Sequence, residues 1–118
     1  MSYDIRLFRV ETKEREQRMN CEDFFDNEEN FEPFSELQVQ ELKERLLTYE
    51  YVFTEKNEFG LNFIHPEYGF ALLTDRSLGF TTSFNEECIF EVGLMASEFT
   101  DTDEFAKYDP QNGGWEEI

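Results

Sequence analysis

Between Leu61 and Phe99 the apolar residues change from a period of two to one near 3.6, and that change limits the folds open to the chain. Gly69 to Thr74 and Gly79 to Phe84 read as two strands joined by a turn at Asp75-Arg76-Ser77-Leu78. In the second strand Phe80, Thr82 and Phe84 share one face, because side chains alternate along a strand. From Glu86 to Phe99 the residues Cys88, Ile89, Val92, Met95, Ala96 and Phe99 fall on one stripe at helical spacing. Ser83 or Asn85 serves as N-cap, and Glu86 and Glu87 suit the positive end of the helix dipole. A hairpin running into an amphipathic helix points to an antiparallel sheet with helices laid against it.

The flanking segments extend this pattern. Tyr3 to Val10 has strand character, with Ile5 and Leu7 on one face and Asp4 and Arg6 on the other; Phe8 and Val10 leave that second face only partly polar. Ser35 and Gln38 form a capping box after Pro33, with Phe34 and Val39 as its hydrophobic staple, and Val39, Leu42, Leu46 and Tyr49 make the buried stripe of the helix that follows. Tyr51 to Glu55 and Leu61 to His65 read as strands, the latter followed by a turn at His65-Pro66-Glu67-Tyr68-Gly69. Phe105 to Asp109 reads as a last, edge strand before Pro110.

The expected fold is α+β: a single antiparallel sheet of about five or six strands with two helices on one face. A ferredoxin-like arrangement with an inserted hairpin is the first topology to draw, and a curved meander around the second helix is the alternative. Residues 1–118 suit one domain, with a long acidic aromatic loop at 11–34 and a tail at 110–118 that is mobile unless Trp115 packs. Within the loop, Glu14 and Arg18 at i,i+4 leave a short surface helix open from Glu11 to Asn20.

Charge narrows the partners. The formal net charge is −18, and residues 19–36 contain seven acids and no base. Such a field repels nucleic acid and anionic membrane, whose phosphates need clustered Lys and Arg, and it attracts a basic protein surface or divalent cations. The plainer use of the charge is to keep a chain with fourteen Phe soluble. Asp4, Arg6 and Arg9 interrupt the only apolar run near the N-terminus, so no signal core or membrane span is expected and a cytoplasmic location follows. Cys21 and Cys88 lack metal-ligand spacing and read as free thiols in a reducing compartment.

No stretch carries a motif with a specific chemical reading. His65 is the sole histidine, which excludes any mechanism needing two imidazoles. It stands at a strand end beside Glu67 and Tyr68, where it serves either as a hydrogen-bonded structural residue or as part of a pocket formed by His65, Glu67 and Tyr68. Cys88 lies in the first turn of a helix, but Glu86 and Glu87 oppose a thiolate and its stripe mates Ile89 and Val92 point to packing. The acidic runs Asp26 to Asn30 and Asp101 to Glu104 lack the sixth-position glycine of an EF-hand, having Phe31 and Ala106 there. Neither a cofactor nor a metal is expected. The segment Cys21 to Phe34 follows no regular period. Its functional reading is a docking segment, in which Phe24, Phe25 and Phe31 anchor a basic partner and Asp23, Asp26, Glu28 and Glu29 meet its charge. Its structural reading is an irregular loop pinned to its own domain by the same rings.

The opening Ser2-Tyr3-Asp4-Ile5-Arg6 and the closing Tyr108-Asp109-Pro110-Gln111-Asn112-Gly113-Gly114-Trp115 resemble small uncharacterised bacterial proteins that begin with a Ser-Tyr-Asp strand and end with a Tyr-Asp-Pro-Gln turn. That resemblance implies no activity; the Cys21 to Phe34 loop has no counterpart in the pattern. Small acidic bacterial α+β proteins of this type include immunity proteins that neutralise basic toxins, an association at the level of fold. Three readings stand at this point. The first is a non-catalytic acidic protein that binds a basic protein partner, of the immunity or inhibitor kind. The second is a small-ligand binder or enzyme with its pocket near His65, and the third is a homodimer, not a monomer, joined through exposed aromatics.

Overall fold

Every strand described in the computed structural model lies in one antiparallel sheet. The model describes residues 2–83, 85–110 and 114–116. The elements are β1 (Ser2–Arg9), α1 (Val10–Met19), two 3₁₀ turns (Phe24–Asp26 and Glu28–Asn30), α2 (Glu36–Thr48), β2 (Val52–Asn57), β3 (Gly60–His65), β4 (Gly69–Leu73), β5 (Leu78–Ser83), α3 (Glu86–Glu98), β6 (Phe105–Asp109) and β7 (Gly114–Trp115). The strand order is β2-β3-β4-β5-β1-β6-β7. Consecutive hairpins build β2 to β5, and β1 then pairs with both β5 and β6.

Alternation along β1 assigns the two faces. Tyr3, Ile5 and Leu7 join Phe63, Ala71, Leu73, Leu78 and Phe80 under α2 and α3, whose Leu42, Leu46, Val92, Met95, Ala96 and Phe99 close the main core. α2 begins where expected: the Ser35 side chain accepts from the Gln38 amide, and the Gln38 side chain accepts from the Ser35 amide. Of the two N-cap candidates for α3, Asn85 fills the role, accepting from Glu87 and Cys88.

The opposite face carries a second, smaller core, in keeping with the structural reading of the aromatic segment as pinned to its own domain. Phe8 of β1 packs there with Phe24 and Phe31, and Phe25, Tyr108 and Trp115 close around them. The segment 11–34 is therefore not one loop. Its first part is the helix α1, which ends where Asn20 turns left-handed, and the rest is two 3₁₀ turns folded over β1 and β6. Among the described residues there are three helices and seven strands, in place of the two and the five or six expected, and α1 is tied to the second core's surroundings through Thr12, which accepts from the Glu32 amide, and Glu16, which accepts from Trp115. Nor is β6 an edge, because β7 pairs outside it through Tyr108 with Trp115. Phe84, the third residue of the expected β5 face, lies outside the described residues, as do 111–113 and 117–118 of the expected tail.

One buried polar pair gives the fold a pH signature. The Tyr3 hydroxyl donates to Asp109 at 2.6 Å, and burial followed by that carboxylate pushes its pKa up to about 12. Burial drives Tyr51 in the same direction. A raised native pKa favours the neutral phenol in the fold, so stability is whole below pH 10, where unfolded tyrosine ionises, and falls as pH rises toward about 12. Alkaline unfolding followed by circular dichroism should show this decline, and Tyr3→Phe should make it shallower.

Candidate functional site

The aromatic segment turns its rings toward the sheet. Phe24 and Phe31 are buried and Phe25 is half-buried, with Phe25 4.4 Å from the Tyr108 ring and Phe31 4.8 Å from Phe8. The rings thus pack on the protein's own sheet, Phe25 keeping part of its surface exposed. Polar contacts fix the same placement. The Glu32 amide donates to Thr12 of α1 at 2.8 Å, and the Phe34 amide donates to the Asp75 carbonyl at 2.7 Å. Arg76 donates to the carbonyls of Glu28 and Phe31, each at 3.1 Å. What the segment does present to solvent is charge: Asp23, Asp26, Glu28 and Glu29 are all exposed.

The second candidate, around His65, forms a concave site between the β3–β4 turn, the end of α2 and one side of α3. His65 is 6 % exposed. Its Nδ1 accepts from the amides of Glu67 and Tyr68 at 3.0 and 3.2 Å, its ring stacks on Tyr68 at 4.3 Å, and Tyr51 meets it edge-on at 5.1 Å. By accepting both amides, Nδ1 closes the turn, which is a structural task. The cavity beside it, about 360 Å³, is ringed by Glu50, Glu67, Glu91 and Glu98, with Tyr49, Tyr68 and Leu94 between them, and among the described residues no Lys or Arg lines it. Tyr49 donates to Glu98. Partial burial, then the field of Glu91, Glu67 and Glu87, holds the Tyr68 phenol above its ordinary value. The carbonyl end of α2 faces the same space and adds to the negative potential. The site suits a cationic group over an aromatic ring.

Sequence reading found His65, Glu67 and Tyr68 but missed Glu50, Glu91 and Glu98. A signal was present: Glu87, Glu91 and Glu98 lie four and seven residues apart, on one side of α3. The remaining chemistry is sparse. Cys21 and Cys88 are free thiols, and Cys88 Sγ lies 3.7 Å from the Glu67 carbonyl, in keeping with packing. Among the described residues no group of three or more His, Cys, Asp or Glu is placed to hold a metal ion, and no helix is long and apolar enough to cross a membrane. No family model matches the chain, and neither the curated proteins nor the solved structures give a significant match.

Proposed function

We propose that this chain is a non-catalytic acidic binding protein that recognises a basic protein partner, of the immunity or inhibitor kind, in the cytoplasm. The observation that carries the reading is unneutralised charge. There are 28 acids against 10 bases, and the described ion pairs number four, all at least partly exposed. Most carboxylates therefore face solvent without a cation, a field that accelerates encounter with a basic surface. The commitment of His65 Nδ1 to two backbone amides speaks against an acid–base role for the only imidazole.

The same proposal takes β4, β5, β1 and β6 with α2 and α3 as a ferredoxin-like core in which β2 and β3 are the inserted hairpin; the strand order supports it. A second reading, a binder of small cationic ligands, is favoured by the Glu-ringed cavity beside Tyr68.

Affinity capture with salt-graded washes, followed by stopped-flow mixing with the recovered protein, tests the first reading. The association rate should fall about tenfold or more from low to high ionic strength. A partner that is not basic, or a rate indifferent to salt, contradicts it.

A further inference from the structure

The helices α2 and α3 cover one face of the sheet, and the aromatic segment covers the β1, β6 and β7 part of the other. Among the described residues nothing covers the β2-to-β5 part of that second face. Strand register places Val52, Ile64, Phe70 and Thr81 in one row across it, ending at Asp4 of β1. Val52 and Ile64 are exposed, and Phe70 is 60 % exposed in the middle of the sheet, where an aromatic side chain ordinarily meets a partner. Beside the row runs a groove of about 470 Å³, floored by Leu72 and Gly79 and ended by Phe59, which is 67 % exposed. A Cβ at Gly79 would meet nothing within 4 Å, so the floor lies at the level of the backbone.

Charge decides the occupant. Asp4, Glu28, Glu58 and Asp75 line the groove against a single base, Arg6. The Arg6 guanidinium is already stacked over Phe8 and Phe31, at 4.9 and 5.4 Å from their ring centres. A second copy would bring the same acids of a −18 chain to the rim, and phosphate-bearing surfaces meet the same repulsion. A purely cationic chain would satisfy the rim and leave the row wet.

We propose that this uncovered half-face is the docking surface, and that its occupant is a basic protein segment with apolar side chains set between its lysines and arginines. The proposal rests on the basic-partner reading above and assigns it a place. The carboxylates steer and orient the partner, and Val52, Ile64 and Phe70 hold it by burial.

Two peptides of equal charge test it on the full chain, one alternating Lys with Leu and one alternating Lys with Ser, with affinities from fluorescence anisotropy and amide shifts from NMR. The Lys–Leu peptide should bind at least about tenfold tighter, with shifts confined to β2 through β5. Ile64→Thr/Phe70→Thr should abolish that advantage and leave Lys–Ser binding unchanged. Phe59→Ser, in an exposed turn, should lower Lys–Leu affinity about threefold and serves if the double variant is poorly folded. Unchanged Lys–Leu binding in the variants, or shifts centred on the Glu-ringed cavity, overturns the assigned face while the basic-partner reading stands. Failure of both peptides to bind at low salt overturns that reading as well. A dimer of the free protein in sedimentation that is lost in the double variant gives the face to a second copy, and equally overturns the proposal.

Discussion

Replacing Phe31 with alanine should lower the unfolding free energy by about 3 to 5 kcal/mol. The ring is buried, lies 4.8 Å from Phe8 and 5.9 Å from Phe24, and supports the Arg6 guanidinium from one side. Its removal leaves a cavity between the sheet and a segment held in place by hydrogen bonds from Arg76, Glu32 and Phe34, so partial collapse recovers little. Urea unfolding reads the change directly. A domain of this size commonly has about 5 to 15 kcal/mol in all, so the variant should be visibly marginal. Glu29→Gln, at an exposed position of the same segment, should change stability by less than about 0.5 kcal/mol. Were the segment an external arm whose rings awaited a partner, both substitutions would leave the free protein unchanged.

Gly69→Ala should cost about 3 kcal/mol, although it adds a single methyl group. Gly69 has φ +115°, a conformation that side chains with a Cβ rarely adopt, and the added carbon would lie 2.3 Å from the Thr81 carbonyl oxygen. That oxygen belongs to the backbone of β5 and cannot rotate away, so β4 and β5 must part where β4 begins. Gly69 also pairs with His65, and the displacement should loosen the amides that His65 Nδ1 accepts, which amide hydrogen exchange at Glu67 and Tyr68 would report. Gly79→Ala is the matched control. Its Cβ meets open space, so the substitution should be neutral or stabilise by up to about 1 kcal/mol.

How much of this was legible follows from where each element is buried. β4, β5 and α3 were readable because each has one face on the main core, and burial on one face writes a period into the sequence. α2 was readable from its capping box and from the stripe of Val39, Leu42, Leu46 and Tyr49. α1 was legible only as an option, through Glu14 and Arg18 at i,i+4, since Thr12 is its one buried residue and it leaves no apolar stripe. The aromatic segment hid for a related reason: turns of three residues are too short to show any period, so its phenylalanines looked unplaced. The clue lay elsewhere in the chain. Phe8 points away from Ile5 and Leu7, and an apolar ring on the outward face of a central strand requires a cover. Tyr108 and Trp115 answer the same need, which also explains why β6 carries a further strand and is not an edge. The acidic cavity escaped because Glu50, Glu91 and Glu98 come from two elements that only the fold brings together.

Whether the aromatic segment is a cover or an arm decides which surface is left for a partner, and hydrogen exchange on the free full-length protein tests this most directly. The amides of Phe31, Glu32 and Phe34, which donate to Glu28, Thr12 and Asp75, should exchange as slowly as buried amides of β1. Exchange of those three at unprotected rates, with β1 still protected, would contradict the account: the segment would be an arm, and the second core would not exist.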